Sequence, residues 1–344
     1  MRIAQVAPLY ESVPPPLYGG SERVVSYLTE ELVRLGHEVT LFASGDSETR
    51  ARLVAACPRA LWRDRDVRET LPHHVHMMEL VFRDPSRFDV IHFHTDYLHF
   101  PLVRRHRCVS VTTLHGMVHP HDLGALFAEY RELPLVSISD NQRTPIPNVN
   151  WRGTVYHGLP RDAFTFRGEP GTYLVYLGRM SPEKRVDRAI EIARASGMAL
   201  KIAAKIYPEE RAYFDETLAP LIEGSGPLVE FVGEIGDRER NELLGGAAAL
   251  LFPIEWPEPF GLVMIEALAC GTPVVGWRRG SVPEVLEDGV TGYIVDSVDA
   301  AVRAVGRIDR LDRTTCRRVF EERFDAACMA RGYLEVYRGL VPGA

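Results

Sequence analysis

The amino-acid sequence predicts an α/β protein with two doubly wound, Rossmann-like domains in succession. Short apolar runs alternate with helical patterns along the chain, which is typical of parallel βα units. The units form two series, and a polar, turn-rich segment from Leu159 to Gly171 separates them. At 344 residues the chain has room for two domains of common size.

The first series begins with a predicted strand over Ile3–Ala7 and a proline-rich loop that leads to Gly19 and Gly20. Ser21 is a residue type that caps helices, and it predicts a helix that ends at Gly36. Apolar runs predict five further strands: His37–Ala43, Val90–His94, Ser110–His115, Leu135–Ser139 and Gly153–His157. We expect residues 1–165 to form the first domain.

The second series begins with a predicted strand over Tyr173–Leu177. Ser181 followed by Pro182 is typical of a helix start, and Gly197 is expected to end that helix. Five further strands are expected: Leu200–Ala204, Glu230–Val232, Ala249–Phe252, Val274–Gly276 and Gly292–Val295. We expect residues 166–324 to form the second domain, and a closing helix to follow that domain over about 325–344.

Composition narrows the class of protein. Hydrophobic residues are 46% and charged residues 25% of the chain, as in an ordinary soluble protein. The chain has 40 Lys and Arg against 47 Asp and Glu, which gives a net charge of −7. This charge argues against nucleic-acid binding on a broad basic surface. It also does not indicate peripheral membrane contact. No apolar stretch approaches the ~18 residues of a membrane span. Five widely spaced cysteines without C-x-x-C indicate a reducing cytoplasm.

The segment from Glu258 to Glu266 is the most informative about function, because it sets two carboxylates eight positions apart. Prolines on both sides of Glu258 favour an extended loop, and a helix is expected from about Gly261. The first N–H groups of that helix, on Gly261, Leu262 and Val263, can bind an anion beside Glu258. A phosphorylated sugar needs such donors and a carboxylate together. An amphipathic helix with an acidic first turn would also contain such a pair.

The surrounding string, EPFGLVMIEALACGTPVV, closely resembles the E-x7-E segment of retaining family 4 glycosyltransferases. These enzymes have the GT-B fold, in which two Rossmann-like domains face a central cleft. The resemblance implies that the first domain, residues 1–165, binds the acceptor and that the second, residues 166–324, binds the donor. It also implies that the closing helix over about 325–344 crosses back to the first domain. The resemblance implies that Glu258 contacts the donor sugar and that Glu266 contacts the nucleotide ribose. It also implies donor contacts from the loop and the first helical turn: Phe260, Gly261, Leu262 and Val263.

Two more motifs match the same family. Gly178 to Lys184 resembles its G-R-x-x-x-E-K segment, which implies that Arg179 and Lys184 bind the pyrophosphate. Guanidinium and ammonium groups suit that task, although alone the pair would be interpreted as a sheet-edge residue and a surface residue. Gly19 and Gly20 match the family's first glycine-rich loop, which closes over the donor diphosphate, although a plain turn has the same composition.

Ten of the twelve histidines lie in one stretch of the first series. His92 and His94 alternate on one predicted strand and share a face, and His115 ends the next strand. A zinc site would use neutral imidazoles, but H-E-x-x-H and paired cysteines are both missing, so no metal is expected. The family resemblance instead places His115 at a strand end near the donor sugar, with His94 and Asp96 toward the acceptor.

The resemblance implies a retaining hexosyltransferase that moves a hexose from a nucleoside diphosphate sugar to an acceptor hydroxyl. UDP-glucose is the favoured donor and GDP-mannose the second, and the sequence does not identify the acceptor. No metal or other cofactor is needed if Arg179, Lys184 and the helix N-terminus stabilise the leaving diphosphate. Glu258 and His115 complete the catalytic candidates. The alternatives are a GT-B sugar-nucleotide epimerase and a non-catalytic sugar-nucleotide-binding protein; without G-x-G-x-x-G, a dehydrogenase is disfavoured.

Overall fold

The computed structural model describes residues 1–17 and 19–341, so the last three residues of the expected closing helix lie outside the described part. The chain divides into two compact units, Met1–Gly158 with the segment from Ala326 onward, and Leu159–Asp325. Each unit contains one parallel sheet, of seven strands in the first and six in the second. The predicted fold class is confirmed.

The first unit has the strand order β3-β2-β1-β4-β5-β6-β7. Its strands are β1 (Arg2–Val6), β2 (Glu38–Ser44), β3 (Arg52–Cys57), β4 (Val90–Phe93), β5 (Ser110–Thr113), β6 (Leu135–Ser137) and β7 (Trp151–Thr154). Its helices up to β7 are α1 (Gly20–Arg34), α2 (Leu71–Phe82), α3 (Phe100–His106), α4 (Pro120–Glu129) and α5 (Asp140–Arg143). The order reverses between β1 and β4, and in doubly wound sheets ligands bind at such a reversal, beyond the carboxyl ends of the strands.

The second unit has the order β10-β9-β8-β11-β12-β13 and reverses between β8 and β11. Its strands are β8 (Tyr173–Arg179), β9 (Leu200–Lys205), β10 (Val229–Gly233), β11 (Ala247–Phe252), β12 (Val274–Trp277) and β13 (Gly292–Val295). Its helices are α6 (Val186–Ser196), α7 (Arg211–Tyr213), α8 (Ala219–Glu223), α9 (Asp237–Gly245), α10 (Leu262–Ala269), α11 (Val282–Val285), α12 (Val298–Val305) and α13 (Arg313–Arg323). A π-helical turn, Phe214–Leu218, joins α7 to α8.

The last helix, α14 (Ala326–Leu340), belongs to the first unit. The direction of the side chains along β1 and β4 explains how α14 packs, because successive side chains of a strand point to opposite faces of the sheet. Ile91 and Phe93 lie in the core cluster that includes side chains of α2, α3 and α4. Gln5 and His92 instead hydrogen-bond Tyr337 of α14.

Apolar runs placed most strands correctly, because strands buried on both faces are almost continuously hydrophobic. All six residues of β11 are buried, for example. The strand β3 had no predicted counterpart. The strand expected over residues 153–157 lies instead at Trp151–Thr154. No helix within residues 1–17 and 19–341 has both the length and the apolar character to cross a membrane.

Two predicted helix starts are wrong. Helix α1 begins at Gly20 with Gly19 as its N-cap, so Ser21 lies inside the helix. Helix α6 begins at Val186, five residues after Ser181, because Arg185 adopts a left-handed conformation with φ 53° and ψ 50°. The residues between them form a 3-10 turn, Pro182–Lys184. Lys184 therefore lies in a turn at the end of the β8 loop.

Candidate functional site

The loops that follow β8 and β11 meet at the reversal point of the second sheet. The backbone N–H of Glu255 donates to the carbonyl oxygen of Glu183 over 2.9 Å. Lys184 Nζ forms an ion pair with Glu258 Oε2, and Trp256 Nε1 donates to the same oxygen over 2.7 Å. The Lys184 and Glu258 side chains are only 15% and 11% exposed. Two residues predicted from separate motifs are therefore in direct contact.

The turn at residues 280–281 holds the Glu258 loop. Gly280 has φ +53°, and a Cβ atom there would lie 2.3 Å from both the backbone N and O of Glu258. The Ser281 N–H donates to the carbonyl oxygen of Glu258 over 2.9 Å, and its hydroxyl donates to that of Phe260 over 2.8 Å. Glycine at position 280 is required by this close approach.

Helix α10 begins directly after this loop. Its N-cap, Gly261, has φ 78° and ψ 68°, and a Cβ atom there would lie 2.8 Å from Met264 Cε. Phe260 is buried, whereas Gly261, Leu262 and Val263 are half-buried. First-turn N–H groups have no acceptor within their own helix, so this end carries partial positive charge. The helix start next to Glu258 is as predicted.

Arg179, the last residue of β8, is held by a carboxylate that the sequence analysis did not identify. Its Nε donates to Glu210 Oε1 over 2.8 Å, and its guanidinium lies 4.8 Å from the centre of the Tyr207 ring. Glu210 is buried in the 3-10 turn after β9. Both predicted phosphate-binding cations, Arg179 and Lys184, therefore have a carboxylate partner within the same unit.

Glu266, on α10, forms a buried ion pair with Arg240 of α9. Arg240 Nη1 lies 3.4 Å from Glu266 Oε1 and 3.3 Å from Asp237 Oδ1. The Arg240 and Glu266 side chains are 10% and 5% exposed. Among the described residues, Arg240 Nε has no hydrogen-bond partner. No sequence signal pointed to Arg240, because α9 has the charged composition of a solvated helix.

In the first unit, His94 and His115 follow β4 and β5 and share a hydrogen bond. His94 Nδ1 lies 2.8 Å from His115 Nε2, and the His157 ring stacks on His115 at a centroid distance of 5.2 Å. Burial lowers the pKa of His115 to about 4 and holds the pKa of His94 well below its usual value. Both rings are therefore neutral at pH 7. Asp96, expected near them, is exposed.

The glycine-rich loop leads into α1. A Cβ atom at Gly19 would lie 2.8 Å from the ring of Pro15, so glycine is needed at this point of close approach. Gly20 is the first residue of α1. Two positions later, Glu22 is buried and accepts a hydrogen bond from the Glu11 N–H over 3.4 Å. Burial raises the pKa of the Glu22 carboxyl to about 7.

Acidic and histidine side chains are the usual ligands of a metal ion. Within residues 1–17 and 19–341, no group of three His, Cys, Asp or Glu side chains is arranged to hold a metal ion. The sequence contains one Asp-x-Asp string, Asp64-Arg65-Asp66. It lies in a turn of the first unit in which Asp64 Oδ1 accepts from the Asp66 N–H over 3.1 Å.

Comparison with known families decides the classification. Residues 163–312 match the family model described as Glycosyl transferases group 1, and residues 18–142 match the model described as Glycosyltransferase Family 4. Together the two models match well over half of the chain. The chain belongs to the family 4 glycosyltransferases.

Individual relatives of this family 4 glycosyltransferase agree with the assignment. The D-inositol 3-phosphate glycosyltransferase of Nocardioides sp. is 30% identical over 208 residues, which are 53% of this chain and 43% of that protein. For this and two further curated relatives, the match spans only 34% to 45% of the relative's length.

Solved structures match the fold over the whole chain. AviGT4, a glycosyltransferase involved in avilamycin A biosynthesis, has a TM-score of 0.78 and 25% identity, and the match covers 100% of this chain and 99% of AviGT4. Anabaena HepE in complex with UDP-glucose has a TM-score of 0.76 and 18% identity, with 99% and 100% covered. The GT-B fold expected from the sequence is thereby confirmed.

The predicted residues of this family 4 glycosyltransferase fall into groups with different surroundings. Lys184 and Glu258 touch each other, whereas Arg179 and Glu266 each pair with a residue that was not predicted. Among the predicted residues of the first unit, Gly19 lies in the loop after β1, Gly20 begins α1, and His115 follows β5. Their roles in binding remain predictions.

Proposed function

We propose that this chain is a retaining hexosyltransferase that moves a hexose from a nucleoside diphosphate sugar to an acceptor hydroxyl without a metal ion. The observation that carries the proposal is the Lys184–Glu258 contact at the reversal point of the second sheet. It combines a cation, a carboxylate and the N-terminus of α10 in one place. Those are the groups that a phosphorylated sugar needs.

The leaving diphosphate is the group that needs most stabilisation, because negative charge develops on it as the glycosidic bond breaks. Arg179 would supply forked hydrogen bonds and Lys184 a point charge. The first N–H groups of α10, at Leu262 and Val263, would add the partial positive charge of a helix end. In this arrangement the cations take the role that a divalent metal ion has elsewhere.

Glu258 and Glu266 are assigned different parts of the donor. Glu258 lies beside Lys184, so its carboxylate would accept hydrogen bonds from sugar hydroxyls next to the diphosphate. Glu266 lies about one helical turn after the start of α10, and there it would bind the ribose. His115 is proposed as a further catalytic residue that contacts the sugar. UDP-glucose is our first choice of donor, which the UDP-glucose complex of HepE supports through the shared fold, and GDP-mannose is the second.

The first experiment identifies the nucleotide and the activity. A thermal-shift series with UDP, GDP, ADP and TDP finds the base, since a ligand of the native state raises the melting temperature. Release of the diphosphate from the matching sugar nucleotide, with water or simple sugars as acceptors, then measures turnover. Formation of an epimerised sugar without any transfer product would favour an epimerase. Binding without turnover of any donor would favour a non-catalytic protein.

The second experiment tests the two carboxylates. Glu258→Gln keeps the shape but converts one acceptor into a donor, so turnover should fall sharply while affinity for the free diphosphate stays near normal. Glu266→Gln should weaken the free nucleotide. Glu242→Gln, on the exposed side of α9, is the control and should change neither quantity. The proposed division is wrong if Glu258→Gln loses diphosphate affinity as severely as Glu266→Gln.

A further inference from the structure

A chain of hydrogen bonds inside the first unit connects helix α14 to His115, and the proposed function makes no use of it. It begins on α14, crosses β5, β4 and β1, and ends in the loop after β5. We call it the relay, and its members in order are Tyr333, Thr113, His92, Tyr337, Gln5, His94 and His115.

Gln5 sets the direction of the relay, because one end of its amide only donates and the other only accepts. Its Nε2 donates to Tyr337 Oη over 3.1 Å, and its Oε1 lies 2.8 Å from His94 Nε2, which therefore carries a hydrogen. His94 is neutral, so its Nδ1 has a lone pair. The 2.8 Å hydrogen bond between His94 Nδ1 and His115 Nε2 must then take its hydrogen from His115.

The same orientation of Gln5 also sets the direction in the other half of the relay. Tyr337 Oη accepts from Gln5, so its own hydrogen is directed to His92 Nδ1, 2.7 Å away. His92 then has its hydrogen on Nε2, where Thr113 Oγ1 accepts it over 2.7 Å. Thr113 and Tyr333 close the chain over 3.0 Å. Turning the Gln5 amide by half a revolution would reverse every bond, so this one side chain decides the direction.

We infer that the relay fixes His115 in the tautomer with hydrogen on Nε2, so that its Nδ1 is a bare acceptor for a ligand hydroxyl. Gln5, His94 and Tyr337 are then positioning residues for His115. Within the described residues His115 Nδ1 is a buried atom without a hydrogen-bond partner, and a ligand hydroxyl that reaches it would satisfy it. The tautomer follows from the relay alone, whereas the identity of the hydroxyl as a sugar hydroxyl rests on the proposed function.

The decisive measurement is nitrogen NMR of the full chain labelled with 15N-histidine, because protonated and bare ring nitrogens have well-separated shifts. Without any ligand at neutral pH, His94 and His115 should both be protonated on Nε2 and bare on Nδ1. The His115 signals are assigned by their loss in His115→Gln. A His115 ring protonated on Nδ1, or an equal mixture of tautomers, would overturn the inference.

Variants test whether the relay causes this tautomer. Gln5→Met keeps a similar volume without donor or acceptor, so His115 should become a mixture of tautomers. Tyr337→Phe, which frees the Gln5 amide to turn, should do the same and serves if Gln5→Met does not fold. Thr112→Val is the matched control, because Thr112 lies beside Thr113 on β5 but outside the relay. It removes the buried 2.7 Å hydrogen bond between Thr112 and His99, and the His115 tautomer should not change. A single unchanged tautomer in both relay variants would refute the assignment.

Kinetic measurements distinguish a role of Gln5 in positioning His115 from a role in folding alone. Gln5→Met should lower the rate of sugar transfer about tenfold, the effect of roughly one hydrogen bond, and leave affinity for the free diphosphate unchanged. Unchanged transfer, with the tautomer already mixed, would refute the positioning role. A wild-type protein with the expected tautomer and no transfer from any donor would instead refute the proposed function, so the two failures are distinguishable.

Discussion

Replacing Arg240 with methionine should destabilise the protein through its effect on Glu266. The methionine fills most of the volume but leaves the Glu266 carboxylate buried and without its cation, since that side chain is only 5% exposed. Breaking a buried pair in this way costs about 3–5 kcal/mol. We expect a value at the lower end, about 3 kcal/mol, because the N–O distance of 3.4 Å is long and Arg240 also serves Asp237.

Thermal unfolding measures this cost. A loss of about 3 kcal/mol in a unit of roughly 150–250 residues lowers the melting temperature by about 6–12 °C. Arg238→Met is the matched control on the same helix, because its pair with Glu242 is 88% and 55% exposed and should contribute little. Adding Glu266→Gln to Arg240→Met removes the uncompensated charge and should restore part of the stability. Equal melting temperatures for the Arg240 and Arg238 variants, or no recovery in the double variant, would refute the reasoning.

Four further outcomes are expected. Arg179→Ala and Lys184→Ala should each weaken nucleoside diphosphate binding by about 1.5–3 kcal/mol in calorimetry; unchanged affinity in both would remove them from the site. Transfer should persist in excess EDTA, since these cations supply the counter-charge, and a loss reversed by one divalent ion would contradict this. Gly280→Ala should abolish transfer because its Cβ would lie 2.3 Å from the backbone of the loop before α10, whereas Gly289→Ala, also at positive φ but with nothing within 4 Å, should retain it. Burial raises the pKa of Glu22 from 4.5 to about 7 in the folded state. The free energy of unfolding of the wild type should therefore fall, relative to that of Glu22→Gln, as the pH rises from about 4.5 to about 7. If denaturant titrations give the same difference in unfolding free energy between the two proteins from about pH 5 to about pH 8, Glu22 does not titrate there.

Local sequence patterns predicted the fold well, because the helices and strands depend mainly on residues that are close together in the sequence. Buried parallel strands need continuous apolar runs, and these placed β11 and β13 within two residues. The start of α10 was predicted at about Gly261, after the proline-containing loop around Glu258, and the helix begins one residue later, at Leu262. The start of α6 was missed, because nothing in the residue type of Arg185 indicates a left-handed backbone.

The surroundings of the site could not be predicted, because they depend on partners that are distant in the sequence. Glu210 and Arg240 lie 31 and 26 positions from the residues they hold, on elements with ordinary charged compositions. Gln5 is one polar residue in a buried strand, and its bond to Tyr337 spans 332 positions. A resemblance to family motifs names the residues that repeat in a family, whereas such supporting contacts become visible only in three dimensions.

The position of α14 has a consequence for synthesis of the chain on the ribosome. The interior of the first unit includes Tyr333 and Tyr337, which are fully buried and belong to the last helix. The second unit, Leu159–Asp325, is encoded before that helix and can be complete while the first unit still lacks it. The unit that is translated first is therefore the last to be finished. A nascent chain stopped at residue 325 would leave Gln5 and His92 without the phenol that both of them bond, and it would expose the face of the first sheet that α14 covers.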